Sequence, residues 1–252
     1  NAPHAREMAT KAHNSGREVL IHLPMAPLSK QPLEKDTLRP EMSQDEIERI
    51  IREAVDKVPY AVGLNNHMGS AMTSSLPGME KVMQALGRYN LYFLDSMTIG
   101  NSQAMRAANG TGVKVIKRRV FLDDTQNEAD IRVQFNRAIA LARRNGSAIA
   151  IGHPHPTTVR VLQQMVYNLP PDITLVRPSS LLNEPQVDTS RPGRDTPQTQ
   201  PTAPRNPFRG VKLCKPRKPL EPVYANRFFN VLSESITHST LVQYMQLQWQ
   251  GW

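Results

Sequence analysis

The sequence predicts an α/β fold with parallel strands, and two observations carry that prediction. Short apolar runs rich in Val, Ile and Leu alternate with longer stretches in which apolar residues recur at helical spacing, and this alternation continues to about residue 183. Repeated strand, loop and helix units imply parallel strands joined by right-handed crossovers. In such folds the reactive groups gather at the carboxyl ends of the strands, so the residues after each apolar run are the first candidates for a site.

Caps and stop residues mark the ends of the predicted helices. Ser43 with Glu46 forms a capping box, and the apolar positions after it keep helical spacing until Pro59 ends the helix. Asn145 and Gly146 end another amphipathic helix before the next apolar run. The predicted helices are 2–14, 43–58, 79–86, 102–109, 129–144 and 157–167. The predicted strands are 18–21, 61–64, 91–94, 113–116, 120–122, 148–151 and 173–176.

Histidines follow three of the predicted strands. The four that do so, of seven in the chain, are His22, His67, His153 and His155. Further polar residues near His67 are Asn65, Asn66 and Ser70. A single histidine at a strand end is often only a hydrogen-bonded side chain. Three strand ends carrying histidine favour a common site.

Carboxylates follow two more strands. Asp95 comes directly after one apolar run and Asp123 after another. Neutral imidazoles and carboxylates are the ligands that zinc takes in hydrolytic sites, where three protein ligands leave one position open. The pattern therefore predicts a divalent metal, zinc, in a hydrolytic site. For Asp123, helix capping is an equally good interpretation, because the segment that follows it resembles a capping box.

Composition divides the chain into three parts. Residues 1–183 form the predicted domain, 184–208 are rich in Pro, Thr, Gln and Arg and are expected to be a disordered linker, and 209–252 hold a basic segment and an amphipathic helix. The formal net charge is +9, but residues 191–252 alone carry nine Lys or Arg against three Asp or Glu. The domain is therefore only mildly basic and aromatic residues do not interleave with the basic cluster, so no nucleic-acid partner is expected.

The basic tail and the single cysteine allow only broad conclusions. Residues 209–218 are typical of a solvated surface, or of one that contacts an envelope protein or an anionic surface such as lipid or cell-wall polymer. One cysteine excludes an internal disulfide and a cysteine-rich metal site. There is no signal peptide in this sequence. Residue 1 is Asn rather than Met and the first residues read as the start of a helix, so we expect the chain to begin within the fold.

Five segments together resemble the divergent polysaccharide deacetylase family. They occur in the right order and are 18–25, 63–70, 93–96, 120–123 and 152–156. This family is similar to the NodB-type deacetylases, whose members remove acetyl groups from polysaccharides with a divalent metal. The resemblance implies a distorted (β/α) barrel, an acetylated polysaccharide or peptidoglycan-like glycan as substrate, and a periplasmic or exported protein.

The resemblance also implies roles for particular residues. His22 would be one metal ligand and His67 the second, while His153 would be the general acid. His155 and Asp95 would belong to the same catalytic pocket. The residues expected to contact substrate are Asn65, Asn66, Ser70 and Asp123.

Two departures from the deacetylase pattern lead to an expectation about activity. Ala26 stands four residues after His22, where ordinary deacetylases have a second ligand histidine. The Asp-Asp strand that supplies the base in that family would lie before Asn1, so the barrel is expected to be incomplete and this chain inactive by itself. A non-catalytic envelope protein that uses the same barrel to bind glycan is the alternative. A serine hydrolase is disfavoured because no Gly-x-Ser-x-Gly motif is present.

Overall fold

The computed structural model describes residues 3–183. The predicted linker at 184–208 and the basic, helical segment at 209–252 lie outside these residues, so both stay predictions. Within the described part the helices are α1 (Ala5–Asn14), α2 (Gln44–Lys57), α3 (Ser70–Ser74), α4 (Leu76–Gly87), α5 (Ala104–Ala107), α6 (Glu128–Asn145) and α7 (Pro156–Tyr167). The strands are β1 (Val19–Met25), β2 (Ala61–Met68), β3 (Tyr92–Asp95), β4 (Val115–Lys117), β5 (Val120–Phe121) and β6 (Ala150–Ile151).

All strand pairs named here are parallel. One sheet has the order β1-β2-β3-β4, and β5 pairs with β6 in a second sheet. Between the sheets, the Arg118 N–H donates to the Asp95 carbonyl oxygen and the Arg119 N–H to that of Ile149. The chain therefore pairs with β3 and then, a few residues later, with β6. This confirms the predicted α/β class with parallel strands, while the distorted barrel, incomplete at its N-terminus, stays a prediction.

The first two strands are longer than predicted. β1 and β2 stay in register as far as the Met25–Met68 pair, and His22 lies opposite Asn65. His22 and His67 are thus inside strands rather than in the loops after them. The prediction stopped each strand at its last apolar residue, but the backbone ladder continues under polar side chains because its hydrogen bonds do not depend on side-chain polarity.

Pro24 fits inside β1 because β1 is an edge strand of its sheet. Its carbonyl oxygen accepts from the Leu38 N–H at 2.9 Å, and the Ala26 N–H donates to the Leu38 oxygen at 2.8 Å. The backbone groups of Pro24 therefore point away from β2. Because proline has no N–H and this position faces away from β2, Pro24 removes no hydrogen bond from the β1–β2 ladder.

The two faces of the four-stranded sheet differ. Alternate strand residues, among them Leu23, Leu64 and Phe93, pack with α2, α4 and α5 in the main apolar core. On the opposite face a smaller cluster forms around Tyr92, Leu94 and Ile116. A third cluster joins the second sheet to α6 and α7 through Val120, Leu122 and Phe135. His22 and Asn65 alternate with the core-facing residues Ile21, Leu23 and Leu64, so their side chains lie on the face opposite the main core.

The predicted last strand, 173–176, does not form. Leu175 and Val176 are 62% and 55% exposed, and the segment has no strand partner among the described residues. An apolar run forms a strand only when a neighbouring strand satisfies its backbone groups, and this prediction was wrong for that reason. No helix within residues 3–183 combines the length and the apolar character needed to cross a membrane.

Candidate functional site

His22 lies in β1, and its hydrogen bonding shows which ring nitrogen carries the proton. Nδ1 of His22 is 2.6 Å from Oδ1 of Asn65. The Asn65 amide nitrogen donates to the Leu94 carbonyl oxygen at 2.8 Å and to Oγ of Ser96 at 2.6 Å. Because a carbonyl oxygen only accepts, the oxygen of the Asn65 amide must face His22. Nδ1 of His22 therefore donates, and Nε2 presents a lone pair.

The surroundings of His22 favour its neutral form. Loss of hydration and then the neighbouring His67 lower the pKa of His22, and the bond to Asn65 opposes this only in part. His153 lowers the same pKa further, so the histidine of the second sheet lies within electrostatic reach. A neutral imidazole is the form that binds a metal ion.

His67 faces His22 from the adjacent strand. Nδ1 of His67 is 3.2 Å from Nε2 of His22, and the two ring planes are inclined at 69°. On the other side of the ring, Nε2 of His67 is 3.5 Å from Oε1 of Glu34. Two nitrogens bound tetrahedrally to zinc at about 2.0–2.1 Å would be about 3.4 Å apart. The pair thus has the spacing of two ligands to one ion, which is also the spacing of a hydrogen bond between the rings.

Asn66 and Ser70 hold the backbone around this histidine pair. Oδ1 of Asn66 accepts from the Ser96 N–H at 2.8 Å, and the Asn66 amide nitrogen donates to the Met68 carbonyl oxygen at 2.6 Å. Oγ of Ser70 accepts from the Leu28 N–H at 2.8 Å and so holds the proline-rich loop after β1. Asn66 is 1% exposed. The structure gives both residues a role in shaping the site, and their contact with substrate stays a prediction.

Asp95 lies apart from the histidines. It shares the helix-facing side of β3 with Phe93, because side chains alternate along a strand. Its side chain is fully buried; Oδ1 accepts from the Met97 N–H at 2.8 Å, and Oδ2 has no hydrogen-bond partner in the described part of the chain. Burial raises the pKa of Asp95, with the Ser102 hydroxyl opposing the shift. A catalytic role for Asp95 stays a prediction.

Asp123 and His153 form a hydrogen-bonded dyad at the end of the second sheet. Oδ1 of Asp123 is 3.1 Å from Nδ1 of His153, and Oδ2 accepts from the His153 N–H at 2.5 Å and from the Thr158 hydroxyl at 2.9 Å. Burial by itself raises the pKa of Asp123, but the hydrogen bonds from His153 and Thr158 outweigh it and hold that pKa below its usual value. The carboxylate therefore keeps Nδ1 of His153 protonated and leaves Nε2 available.

His155 completes a second cluster with this dyad. Its ring centroid is 5.6 Å from that of His153, and its Nε2 atom is 3.1 Å from Nε2 of Gln126. Ligand atoms of Asp123, His153 and His155 lie within 4.8 Å of one another, so these three side chains could hold a metal ion. The structure therefore offers two candidate sets of metal ligands, and the predicted catalytic and substrate residues supply the second set.

A cavity of about 370 Å³ adjoins the site at His22. It runs between β1 and α2 and reaches the start of α1. His22 lines it together with Arg6, Asp36 and Glu53, whereas neither His67 nor His153 does. The two histidine groups therefore do not meet in this cavity.

Three residues near the histidines escaped sequence analysis: Glu34, Gln126 and Thr158. Thr158 follows His-Pro-His-Pro-Thr directly, and its place in the first turn of a helix could have indicated a partner for Asp123. Glu34 lies in a proline-rich loop with no motif around it, more than thirty residues from His67. Only the folded loop brings it to that ring.

Residues 1–182 match the divergent polysaccharide deacetylase family, and the chain belongs to it. It is 83% identical over 252 residues to the uncharacterized protein YibQ of Escherichia coli (strain K12), covering all of this chain and 78% of YibQ. It is 44% identical over 191 residues to an uncharacterized protein of Haemophilus influenzae Rd, covering 76% and 68% of the two chains.

A solved structure shows a similar fold. The crystal structure of the uncharacterized protein ATU2773 from Agrobacterium tumefaciens C58 matches with a TM-score of 0.60 and 23% sequence identity. The match covers 63% of this chain and 65%, just under two thirds, of that one. At this level of identity the likeness concerns the fold alone.

Proposed function

We propose that this domain is part of a metal-dependent hydrolase that removes acetyl groups from an envelope or extracellular polysaccharide. Family membership supports the reaction class. The observation that carries the proposal is the 3.2 Å approach of His22 Nε2 to His67 Nδ1. The other ring nitrogen of His22 contacts Asn65, and the other ring nitrogen of His67 contacts Glu34. This arrangement directs one nitrogen of each ring towards the same point.

The donor set at this point fits a divalent ion, with zinc as the proposed metal. Nδ1 of His22 is held by Asn65, so Nε2 has a lone pair to offer, and the lowered pKa of His22 keeps the ring neutral at pH 7. A partner on the nitrogen that does not bind the ion is the usual support of a ligand histidine. Zinc held by His22 and His67 would supply Lewis acidity towards the acyl carbonyl and a water of lowered pKa.

His153 is the proposed general acid. Its Nδ1 atom donates to the buried Asp123 carboxylate, which fixes the tautomer and stabilises the protonated ring. The side chain is 42% exposed, so substrate can approach it. In the proposed reaction, hydroxide formed from water adds to the acyl carbon. A proton passes from His153 to the departing sugar amine or alcohol as the acyl carbon–heteroatom bond breaks, and acetic acid and the free amine or alcohol are the products.

One observation favours a second candidate, a glycan-binding protein without catalysis. The position that carries the second ligand histidine in ordinary deacetylases is Ala26, which is 7% exposed and offers no donor side chain. A site that had lost its metal would still keep the shaped face around Asn65. Metal content separates the two candidates.

Elemental analysis of the purified chain, after incubation with zinc and gel filtration, tests the metal site. We expect one zinc per chain, lost in His22→Ala and in His67→Ala. His13→Ala is the matched control, because His13 stacks on Tyr60 at 4.0 Å outside the site. If His153→Ala and His155→Ala lost zinc while His22→Ala and His67→Ala kept it, the ion would be bound by the second cluster, Asp123, His153 and His155. A metal-free wild type would favour the glycan-binding candidate.

Acetate release from acetylated chitooligosaccharide and from peptidoglycan tests the reaction. The assay is run on this chain and on full-length YibQ carrying the equivalent substitutions. We expect this chain to release no acetate by itself. In full-length YibQ, the equivalent of His153→Ala should keep its zinc and lose turnover, whereas the equivalent of His22→Ala should lose both. Export to the periplasm is proposed from the family resemblance, and fractionation of cells producing YibQ tests it.

A further inference from the structure

Glu34 stands on the outer side of the histidine pair, and its carboxylate can only accept a hydrogen bond. Oε1 of Glu34 is 3.5 Å from Nε2 of His67, whereas Nδ1 of His67 is 3.2 Å from Nε2 of His22. With Nδ1 of His22 bonded to Asn65, Nε2 of His22 is also an acceptor in the neutral ring. A neutral His67 therefore has acceptors on both sides and one proton to place between them.

The two tautomers of His67 have opposite consequences. A proton on Nδ1 of His67 would be donated to Nε2 of His22. Neither of these two nitrogens would then have a free lone pair for a metal ion. A proton on Nε2 points to Glu34 and leaves two lone pairs directed at one point, which is the arrangement that a cation requires. The negative charge of Glu34 favours the second tautomer.

Glu34 is held in place although its side chain is 57% exposed. Its carbonyl oxygen accepts from the Thr37 N–H at 3.3 Å and from the Thr37 hydroxyl at 2.7 Å. Thr37 is 3% exposed and is followed by Leu38, which is fully buried and bonded to the edge of β1. The backbone that presents the carboxylate is therefore anchored in the core.

We propose that Glu34 is a positioning residue that keeps the proton of His67 on Nε2 and so prepares the His22–His67 pair for a metal ion. The metal-binding part of this inference rests on the proposed function, whereas the tautomer of His67 can be measured in the metal-free chain. Because Glu34 is more than half exposed, its effect on affinity falls at the lower end of the range for residues that orient a ligand histidine.

Two measurements on the full chain test this role. Long-range proton–nitrogen correlation spectra of the metal-free protein report which nitrogen of His67 is protonated, and competition with a chelator reports zinc affinity. We expect Glu34→Ala to shift His67 towards protonation of Nδ1 and to weaken zinc binding about tenfold. Glu34→Gln, whose amide can donate as well as accept, should do the same, and Glu34→Asp should restore part of the effect.

Glu41→Ala is the matched control. Glu41 belongs to the same connection between β1 and α2, is 71% exposed and pairs with Arg39 at 3.1 Å. An unchanged His67 tautomer in Glu34→Ala, or an equal loss of zinc affinity in Glu41→Ala, would overturn the proposal. A wild type without zinc would sink the metal site, and the tautomer measurement would still decide the role of Glu34.

Discussion

The two histidine groups lie on different sheets and are oriented by different chemistry. In the four-stranded sheet, His22 donates to the amide oxygen of Asn65. In the two-stranded sheet, His153 donates to the buried carboxylate of Asp123. A neutral amide fixes the tautomer and leaves the ring neutral, whereas a carboxylate also stabilises the protonated ring. A neutral ring can bind a cation and a protonated ring can donate a proton, so the difference fits the roles proposed for the two groups.

The two groups are also built differently by the backbone. His22 and His67 lie on adjacent strands, so the spacing of the sheet itself sets their separation. His153 follows the end of β6 and is held by hydrogen bonds to Asp123 from its own backbone and ring. Disturbing a strand should therefore affect the first group, and removing one carboxylate should affect the second.

The largest expected effect comes from Asp123→Asn. The amide cannot stabilise a protonated His153, so acetate release by full-length YibQ carrying the equivalent substitution should fall by about 10²- to 10⁴-fold, while zinc bound at His22 and His67 is retained. Steady-state rates and elemental analysis on the same preparation check this. Asp124→Asn is the matched control, because Asp124 is the exposed neighbour in the same loop. Loss of zinc in Asp123→Asn would show that the two groups do not divide the work in this way.

Gly69→Ala should damage the first group and spare the second. Gly69 has φ of +100°, and an added Cβ would lie 2.9 Å from Cβ of Met25, at the ends of β1 and β2. Strained backbone and the clash should together cost about 1–3 kcal/mol of unfolding free energy and weaken zinc binding.

The control for that change separates strain from clash. Gly110→Ala has φ of +77° with nothing within 4 Å of the new Cβ, so it carries the backbone cost alone. Urea unfolding and zinc titration of both variants make the comparison. Equal effects in the two variants would mean that the contact with Met25 has no influence on the histidine pair.

Asp95→Asn tests whether the buried carboxyl of β3 serves stability or chemistry. Burial raises the pKa of Asp95, so its contribution to stability is full below the unfolded value of about 3.9 and is lost as pH rises through the folded value. Relative to wild type, the neutral variant should therefore gain stability between pH 3.5 and pH 7. Urea unfolding at both pH values measures this, and a difference that does not change with pH would contradict it.

Thr158→Val should have the smallest effect. It removes the hydroxyl that donates to Asp123 at 2.9 Å, which should cost about 1 kcal/mol at neutral pH. The pKa of Asp123 is depressed in the folded state, so the stability that it contributes is present above the ordinary aspartate pKa and declines as pH falls through the folded value. The cost should shrink in acid. Thr157→Val is the neighbouring control, and an equal cost there would rule out a specific bond.

The order of strands and helices could be read from the amino acids because it depends on local patterns. The capping box at Ser43, for example, forms as predicted: its hydroxyl accepts from the Glu46 N–H, and Glu46 accepts from the Ser43 N–H. The sequence also predicted that His22 and His67 share one site, and their rings do approach each other, while their function stays a prediction. Helix periodicity and caps act over a few residues, which is why sequence alone determined them.

The lengths of β1 and β2, the failure of 173–176 to form a strand, and the separation of Asp95 from the histidines were decided only by tertiary structure. Each depends on which strand lies alongside and on which face a side chain occupies, and these are properties of pairing between distant segments. The same reason explains why Glu34 could not be found from its surroundings in sequence. The sequence determined which chemical groups are present and roughly where the strands end, whereas packing decided which of these groups meet.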